Sequence, residues 1–225
     1  MRIFKREGEM VMKRAVLAAC VMAVLVLALP ANADSITQIT FDGLHDLQPV
    51  GDHYGQFGIT FSSNALAVRS SLHGGIGNFT GNPSGNTILG FQTGSSVLMN
   101  VAGGFQNGLA FFYSAPNFSG TVTIWSGLNG TGTLLATISL GVTGTTGCAN
   151  GSLFCIWTPV GLNFSGVAQS VKFSGKAGGI AFDSITLGSG VPSAVPEAST
   201  AFLMGIGLVA LSCVGRLRRS STHRG

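Results

Sequence analysis

The alternation of apolar and polar residues along the middle of the chain predicts short β-strands. In the stretch TLLATISLG, residues 133–141, the apolar side chains at even-numbered positions share one predicted face. In VAQSVKFSG, residues 167–175, Val167, Val171 and Phe173 lie opposite the even-numbered polar residues. Successive side chains of a strand point to opposite faces, so this period of two indicates strands with one buried face.

Further runs of similar length predict an all-β domain over residues 34–190. Turn clusters such as GNPSGN, SAPNFSG and GLNGTG separate these runs, and no segment between them shows a helical stripe of apolar residues. About ten short strands at this spacing predict an antiparallel β-sandwich or jelly roll. The runs are SITQITF, GITFSS, ALAVRS, TILGF, SVLMNVA, LAFFYS, GTVTIW, CIWTPV and IAFDSITLG.

The first 33 residues have the pattern of a secretion signal. Lys13 and Arg14 precede an apolar core, residues 15–29, and the small residues ANA follow it, ending at Ala33. We therefore predict a signal peptide over residues 1–33. Lipidation at Cys20 is the alternative, but the apolar run continues well past that cysteine, whereas a lipidation motif ends such a run.

A second uncharged run, residues 198–215, lies near the C-terminus. Its 18 residues would span about 27 Å as a helix, which is close to the lower limit for crossing a bilayer. Arg216, Arg218 and Arg219 follow it and predict that this end stays on the cytoplasmic side. Residues 191–225 are therefore predicted to be a linker, a transmembrane helix and a basic end.

The distribution of charge excludes a nucleic-acid-binding role. The formal net charge is +4, yet residues 1–33 and 196–225 each carry +3 and the middle of the chain carries −2. Binding to phosphates requires clustered basic residues on the folded surface. The middle has only Arg69, Lys172 and Lys176 as scattered cations.

Two cysteines in the middle of the chain predict a disulfide. Cys148 and Cys155 lie in GCANGSLFC, whose Asn-Gly pair favours a tight turn. Export would place them in an oxidising compartment, where disulfides persist. Free thiols and a zinc site are weaker alternatives, since the loop has neither a CxxC spacing nor a histidine.

The middle of the chain is poor in residues that carry catalysis. It contains no Glu, and no phosphate-binding loop, nucleophile elbow or HExxH pair occurs. We therefore predict that the protein is not an enzyme. A glycoside hydrolase is the alternative, and it would need two facing carboxylates drawn from Asp42, Asp46, Asp52 and Asp183.

The densest polar cluster is FDGLHDLQPVGDHYG, residues 41–55. Its carboxylates suit calcium, and with His45 and His53 they could suit a transition metal. Loop chemistry, in which the side chains cap their own backbone, is the third interpretation. The spacing matches no defined calcium loop, so capping is favoured.

Asp183 is predicted to lie on the apolar side of its strand. Simple alternation in IAFDSITLG places it with Ile185 and Leu187. A buried carboxylate without partners is costly, so Asp183 needs either a partner or a bulge that turns it outward.

Trp125 is the best candidate for a sugar-stacking ring. In GTVTIW it alternates with Val122 and Ile124, which predicts that it faces solvent. Ring faces stack on the apolar face of a pyranose. Trp157, Tyr54 and Tyr113 are also candidates, and packing in the core is the alternative for all of them.

Two segments resemble the first and last strands of carbohydrate-binding-module-like jelly rolls. They are ITFDGL, which contains Asp42, and IAFDSITLG, which contains Asp183. The resemblance implies that these strands lie side by side and that their acidic groups hold a structural calcium ion. Capping of the backbone is the alternative for each residue.

The C-terminus resembles the PEP-CTERM protein-sorting signal. Val195, Pro196 and Glu197 match its motif, an apolar segment follows, and the arginine cluster closes it. Ala198 departs from the family, which usually has a second Pro there. The resemblance implies export, transient membrane anchoring, and processing by exosortase, a membrane-embedded transpeptidase, in bacteria that make extracellular polysaccharide.

These patterns together predict an exported protein of the cell surface or extracellular matrix. Its role would be structural or polysaccharide-binding, and a hydrolase acting on matrix polysaccharide is the competing class.

Overall fold

The computed structural model describes residues 36–149 and 151–193. The predicted signal peptide, the Val195-Pro196-Glu197 motif, the C-terminal helix and the arginine cluster lie outside these residues. Within the described ranges, no helix is both long enough and apolar enough to cross a membrane.

The described residues form two antiparallel β-sheets, which confirms the predicted all-β sandwich. The seven-stranded sheet has the order β10-β7-β12-β5-β4-β2, and β1 also pairs with β12. The five-stranded sheet has the order β3-β6-β11-β8-β9. The strands are β1 Thr37–Ile39, β2 Gln48–Pro49, β3 Ile59–Phe61, β4 Leu66–Arg69, β5 Thr87–Gly90, β6 Ser96–Phe105, β7 Gly108–Ser114, β8 Gly120–Trp125, β9 Leu134–Leu140, β10 Thr158–Asn163, β11 Ala168–Ser174 and β12 Ala181–Leu187.

The core lies between the two sheets and is built from the apolar positions of the alternating strands. At its centre are Phe111 of β7, Phe173 of β11 and Phe182 of β12. Their rings contact one another edge to face, with centroid distances of 4.9–5.8 Å. Such contacts add to the free energy gained from apolar burial. Three short 3₁₀ turns, Gly55–Phe57, Ser71–His73 and Leu128–Gly130, complete the described elements.

Three strand predictions were wrong in detail. The run CIWTPV begins too early, because β10 starts at Thr158. Val167 is 44% exposed and Leu134 is 46% exposed, although alternation placed both on the buried face. A β-bulge explains both exposures, because it moves the side chains beyond it to the other face of the sheet. For Val167 the pairing register shifts just after Ala168 in β11, and for Leu134 it shifts opposite Trp125 of β8.

Two loop segments cover the outer face of the seven-stranded sheet. Residues 70–86 and residues 145–157 contact each other through a bridge between Phe79 and Phe154. Phe79 also belongs to a second apolar cluster with Ile88 and Ala181. The Cys148–Cys155 disulfide, predicted from the sequence, closes the second segment with a Cα–Cα distance of 5.5 Å.

Candidate functional site

Asp183 lies next to a β-bulge in β12, the strand that β1, β5 and β7 all pair with. The register shifts between Asp183 and Thr186, and Ser184 has a φ of 50°, in the left-handed region. Because of the bulge, the side chains of Phe182 and Ile185 both point into the core, and the Asp183 side chain points to the opposite face of the sheet. The alternation that placed Asp183 beside Ile185 and Leu187 was therefore wrong, and the bulge is the reason.

The Asp183 carboxylate is fully buried and accepts hydrogen bonds from four protein donors. Ser84 donates from its backbone N–H at 3.0 Å and from its hydroxyl at 2.7 Å. Asn82 donates from Nδ2 at 3.2 Å, and the backbone N–H of Ser184 donates at 2.6 Å. Burial raises the pKa of Asp183 to about 6, while the hydrogen bonds from Ser84, Asn82 and Ser184 act to lower that pKa.

Asp42 contacts the same loop from the solvent side. Its side chain is exposed, and Oδ1 accepts a hydrogen bond from the Asn86 N–H at 3.1 Å. The carboxylate lies so close to Gly85 that any side chain at position 85 would overlap it. The first and last strands are indeed neighbours, since Thr37–Ile39 pairs with Ile185–Leu187.

The two aspartates are therefore held on one loop, residues 82–86, by protein donors. Among the described residues, no group of three or more His, Cys, Asp or Glu side chains could hold a metal ion. The donors of Asp183 are N–H and O–H groups, whereas calcium is bound by six to eight oxygen atoms. Calcium binding by Asp42 and Asp183 stays a prediction.

Within the rest of the polar cluster of residues 41–55, the side chains of Asp46 and Tyr54 accept hydrogen bonds from backbone N–H groups. Asp46 accepts hydrogen bonds from the N–H groups of Arg69 at 2.8 Å and Ile76 at 3.0 Å. Tyr54 Oη accepts one from Phe41 N–H at 2.9 Å, and burial is the main cause that raises the pKa of Tyr54 to about 12. These contacts fix the path of the loop.

An open cleft of about 390 Å³ lies beside Asp42. His45, Arg69, Asn86 and Thr87 also line it, and Asp42 is its only carboxylate. Hydrolysis by two facing carboxylates needs a second acid at this cleft. Asp183, which contacts the same loop as Asp42, is buried and enclosed by donors.

Three of the four candidate aromatic residues have packing roles. Trp157 packs edge to face on Phe79, with 6.3 Å between centroids, and donates from Nε1 to Thr80 O at 3.0 Å. Tyr113 is buried and donates to Gly141 O at 3.2 Å. Tyr54 packs against the main core.

Trp125 differs because it lies on the outer face of the five-stranded sheet. Val122 and Ile124 beside it are fully buried, and Trp125 itself is half-buried, as the alternation predicted. Its Nε1 donates to Thr123 Oγ1 at 3.0 Å, which fixes the orientation of the indole ring.

We call the strand residues on this side of the five-stranded sheet the hydroxyl face, because most of them are Ser or Thr. The pairing registers arrange them in three rows that cross the strands. The first row is Thr60, Asn100, Ser170, Trp125 and Leu134; the second is Leu98, Lys172, Thr123 and Thr137; the third is Ser96, Ser174, Thr121 and Ser139.

A loop, residues 126–133, stands over one end of the hydroxyl face. The Gly130 N–H donates to Ser170 Oγ at 2.9 Å, and Ser170 Oγ donates to Gly127 O. Asn129 and Asn100 exchange two hydrogen bonds of 2.8 and 2.9 Å. The loop thus forms a wall beside Trp125 and also approaches Leu98 in the second row, whereas the rest of the second row and the third row lie outside it.

Two parts of this arrangement were missed at the level of sequence. The Ser and Thr residues of the second and third rows were visible as polar strand positions, but only the pairing registers bring them together. Asn82 and Ser84 lie in a recognisable turn, GNPSGN, yet nothing in the sequence indicates which aspartate they contact.

No protein-family model matches the sequence, and no curated protein matches it. Among solved structures, the chain is similar to a carbohydrate-binding module from Cellvibrio mixtus lichenase 5A in complex with cellotriose. The identity is 17%, the match covers 56% of this chain and 87% of the module, and the TM-score is 0.35. It is also similar to the C-terminal module of LamC, a marine laminarinase from Zobellia galactanivorans, with 14% identity, coverage of 68% and 99%, and a TM-score of 0.36. It is similar as well to the K2 adhesin domain of Lys-gingipain, with 12% identity, coverage of 68% of this chain and 97% of that domain, and a TM-score of 0.43.

Proposed function

We propose that the protein binds polysaccharide on the hydroxyl face of its five-stranded sheet. The observation that carries this proposal is Trp125, a half-buried tryptophan on a face formed otherwise mainly by Ser and Thr, with a loop wall beside it. A sugar presents both an apolar C–H face and many hydroxyl groups. The hydroxyl face offers a matching partner for each of these.

The physical basis is a division of roles between the ring and the hydroxyls. The indole ring supplies a rigid apolar surface at little cost in side-chain entropy. Thr121, Thr123 and Thr137 each supply a hydroxyl that can both donate and accept a hydrogen bond. Because sheet strands are spaced regularly, the rows repeat these hydroxyls in a pattern that suits an extended polymer.

The Trp125→Ala variant tests this proposal. We expect about ten-fold weaker binding to the polysaccharide recognised by the native chain, which corresponds to about 1.4 kcal/mol. Binding is measured by calorimetry with the full-length chain against a soluble β-glucan, a xylan and a polygalacturonate. The Trp125→Phe variant keeps a stacking surface and should recover part of the affinity.

Melting temperature is the control for this experiment, because truncation of a half-exposed side chain should change it little. Binding that is unchanged in Trp125→Ala, or absent from every polymer tested with the native chain, would contradict the proposal.

The proposed location is the cell surface or extracellular matrix. The support is the order of segments in the sequence: a secretion signal, a disulfide-containing domain, the Val195-Pro196-Glu197 motif, an apolar run and Arg216. In this proposal the C-terminal segment anchors the chain transiently in the membrane, and an exosortase-type transpeptidase processes it.

Deleting residues 195–219 should change where the protein is found. We expect the truncated chain to be recovered from the soluble periplasmic fraction, whereas the full chain is recovered with membranes before processing. Cell fractionation and immunoblotting measure this. The Ala198→Pro variant is a matched test of the motif, because restoring the usual family residue should increase the processed fraction. Retention of the truncated chain in the membrane fraction would contradict the proposal that the C-terminal segment anchors the protein.

A hydrolytic function gains no support from the described residues. Asp183 is enclosed by four donors, and Asp46 accepts two backbone hydrogen bonds. We therefore propose a binding protein without catalytic activity.

A further inference from the structure

Lys172 is the only charged residue of the hydroxyl face. It lies in the middle of the second row, directly opposite Leu98 on β6 and Thr123 on β8. Its side chain is exposed. The polar residues around it in the second and third rows are neutral hydroxyls, so a ligand on this face meets one positive charge.

Lys172 and Trp125 lie close enough to contact one ligand. Trp125 pairs with Ser170, and Lys172 is two residues further along the same strand, β11. Residues that are diagonal neighbours across two strands have Cα atoms about 7–8 Å apart, within reach of a long side chain. The ammonium group can therefore approach a substituent of a sugar that is stacked on the indole ring or of the next sugar along the polymer.

Lys172 has no partner among the residues that the structure describes. The carboxylates of Asp46 and Asp183 are bound to backbone and side-chain donors elsewhere, and within residues 36–149 and 151–193 no ion pair or hydrogen bond involves the Lys172 ammonium. Lys176, only four residues along, differs because its ammonium lies over the Phe118 ring, 5.9 Å from the centroid. The charge on Lys172 is thus available to a ligand.

We infer that the polysaccharide bound on the hydroxyl face is acidic and carries carboxylate groups, as in a polymer of uronic acids. This inference rests on the proposed function and names the class of its ligand. Trp125 stacks on one sugar ring, the threonine hydroxyls bind neutral hydroxyl groups, and the Lys172 ammonium pairs with a carboxylate.

The ion pair between Lys172 and a carboxylate contributes more to the preference for an acidic polymer than to the total binding affinity. A solvent-exposed ion pair contributes modestly, on the order of a two- to five-fold change in the binding constant. Screening by salt weakens it, because the Debye length is about 10 Å at 0.1 M salt and about 3 Å at 1 M. Preference for the acidic polymer should therefore shrink as salt is added, whereas stacking on Trp125 should persist.

The test compares polygalacturonate with its methyl ester, because the two polymers have the same backbone and differ in charge at one position. The full-length native chain should bind polygalacturonate about five-fold more tightly than the ester at low salt. Lys172→Gln should remove that difference. Lys176→Gln, which changes the net charge by the same amount at a residue outside the hydroxyl face, should preserve it. In 1 M NaCl the native chain should bind both polymers about equally.

Two results would overturn the inference. One is that the native chain binds polygalacturonate and its methyl ester equally at low salt, while Trp125→Ala binds neither polymer. This result leaves the proposed polysaccharide-binding function intact. The other is an equal loss of preference in Lys172→Gln and Lys176→Gln, which would show that net charge alone acts. If the native chain binds neither polymer nor the neutral β-glucan and xylan, both the inference and the proposed function fail.

Discussion

The Asp183→Ala variant is expected to lose about 3 kcal/mol of unfolding free energy at pH 4, where the Asp183 carboxyl group is protonated. Removing the carboxyl group breaks four hydrogen bonds at once, and each buried donor that is left without an acceptor costs about 1–3 kcal/mol. Two donors keep another acceptor, since the Ser84 hydroxyl is 3.2 Å from Thr40 O and Asn82 Nδ2 is 3.4 Å from Gly85 O. Only two backbone N–H groups are then left without an acceptor, which gives about 3 kcal/mol in total.

Denaturant unfolding of the full chain measures this loss, and Asp52→Ala is the matched control. Asp52 is exposed, so the same substitution there should change the unfolding free energy by less than about 0.5 kcal/mol. Equal stability of the two variants would show that the four hydrogen bonds of Asp183 do not stabilise the fold.

The raised pKa of Asp183 adds a dependence on pH. Its pKa of about 6 in the folded chain exceeds the ordinary aspartate pKa of 3.8, so the folded state binds the proton more tightly than the unfolded state. The resulting stability is fully present below about pH 4 and is lost as the pH rises through about 6. A pKa difference of this size corresponds to a loss on the order of 3 kcal/mol.

The Asp183→Asn variant isolates this contribution, because its side chain does not titrate. The difference in unfolding free energy between the native chain and Asp183→Asn should therefore change between pH 4 and pH 6 in favour of the variant. A difference that stays constant over this range would contradict the pKa argument.

Replacing Phe173 by alanine is expected to cost about 4 kcal/mol. Its ring is fully buried and contacts Phe111 and Phe182 edge to face, with centroids at 5.7 and 4.9 Å. Truncation of a buried phenylalanine removes the energy of apolar burial and leaves a cavity, which together cost about 3–5 kcal/mol. Because β11 and β12 belong to different sheets, the cavity would lie at the contact between the sheets.

Phe57→Ala is the control for Phe173→Ala, since Phe57 is 56% exposed on a short 3₁₀ turn. Unfolding in denaturant should show a loss of less than about 1 kcal/mol for this control. A loss of similar size in both variants would mean that the aromatic cluster of the core contributes no special stabilisation.

The strands could be predicted from the sequence because one buried face imposes a period of two. Val122 and Ile124 are buried and Trp125 faces outward, as the alternation in GTVTIW predicted. The disulfide could be predicted because seven positions separate Cys148 from Cys155 across a turn sequence.

A bulge at Asp183 was one of the two outcomes predicted from the sequence, whereas the register shifts in β9 and β11 were not predicted, and these bulges explain where the alternation failed. At Asp183 the bulge depends on Ser184 adopting a left-handed backbone, which a serine does not signal. The partners of Asp183 also could not be predicted, since Ser84 is 99 positions away in the chain. The hydroxyl face was missed for the same reason: alternation identifies outward residues, but register between distant strands decides which of them are neighbours.

The position of β12 has a consequence for the order in which the protein can fold. This strand is the last in the described chain, yet it pairs with β1, β5 and β7. A chain that emerges from its N-terminal end therefore cannot complete the seven-stranded sheet until Leu187 has emerged. Before then, the edges of β1, β5 and β7 that β12 will pair with present unpaired N–H and C=O groups, which can pair with other chains. If the chain were released from the ribosome only after β12 had docked, these edges would not meet the same edges of neighbouring chains.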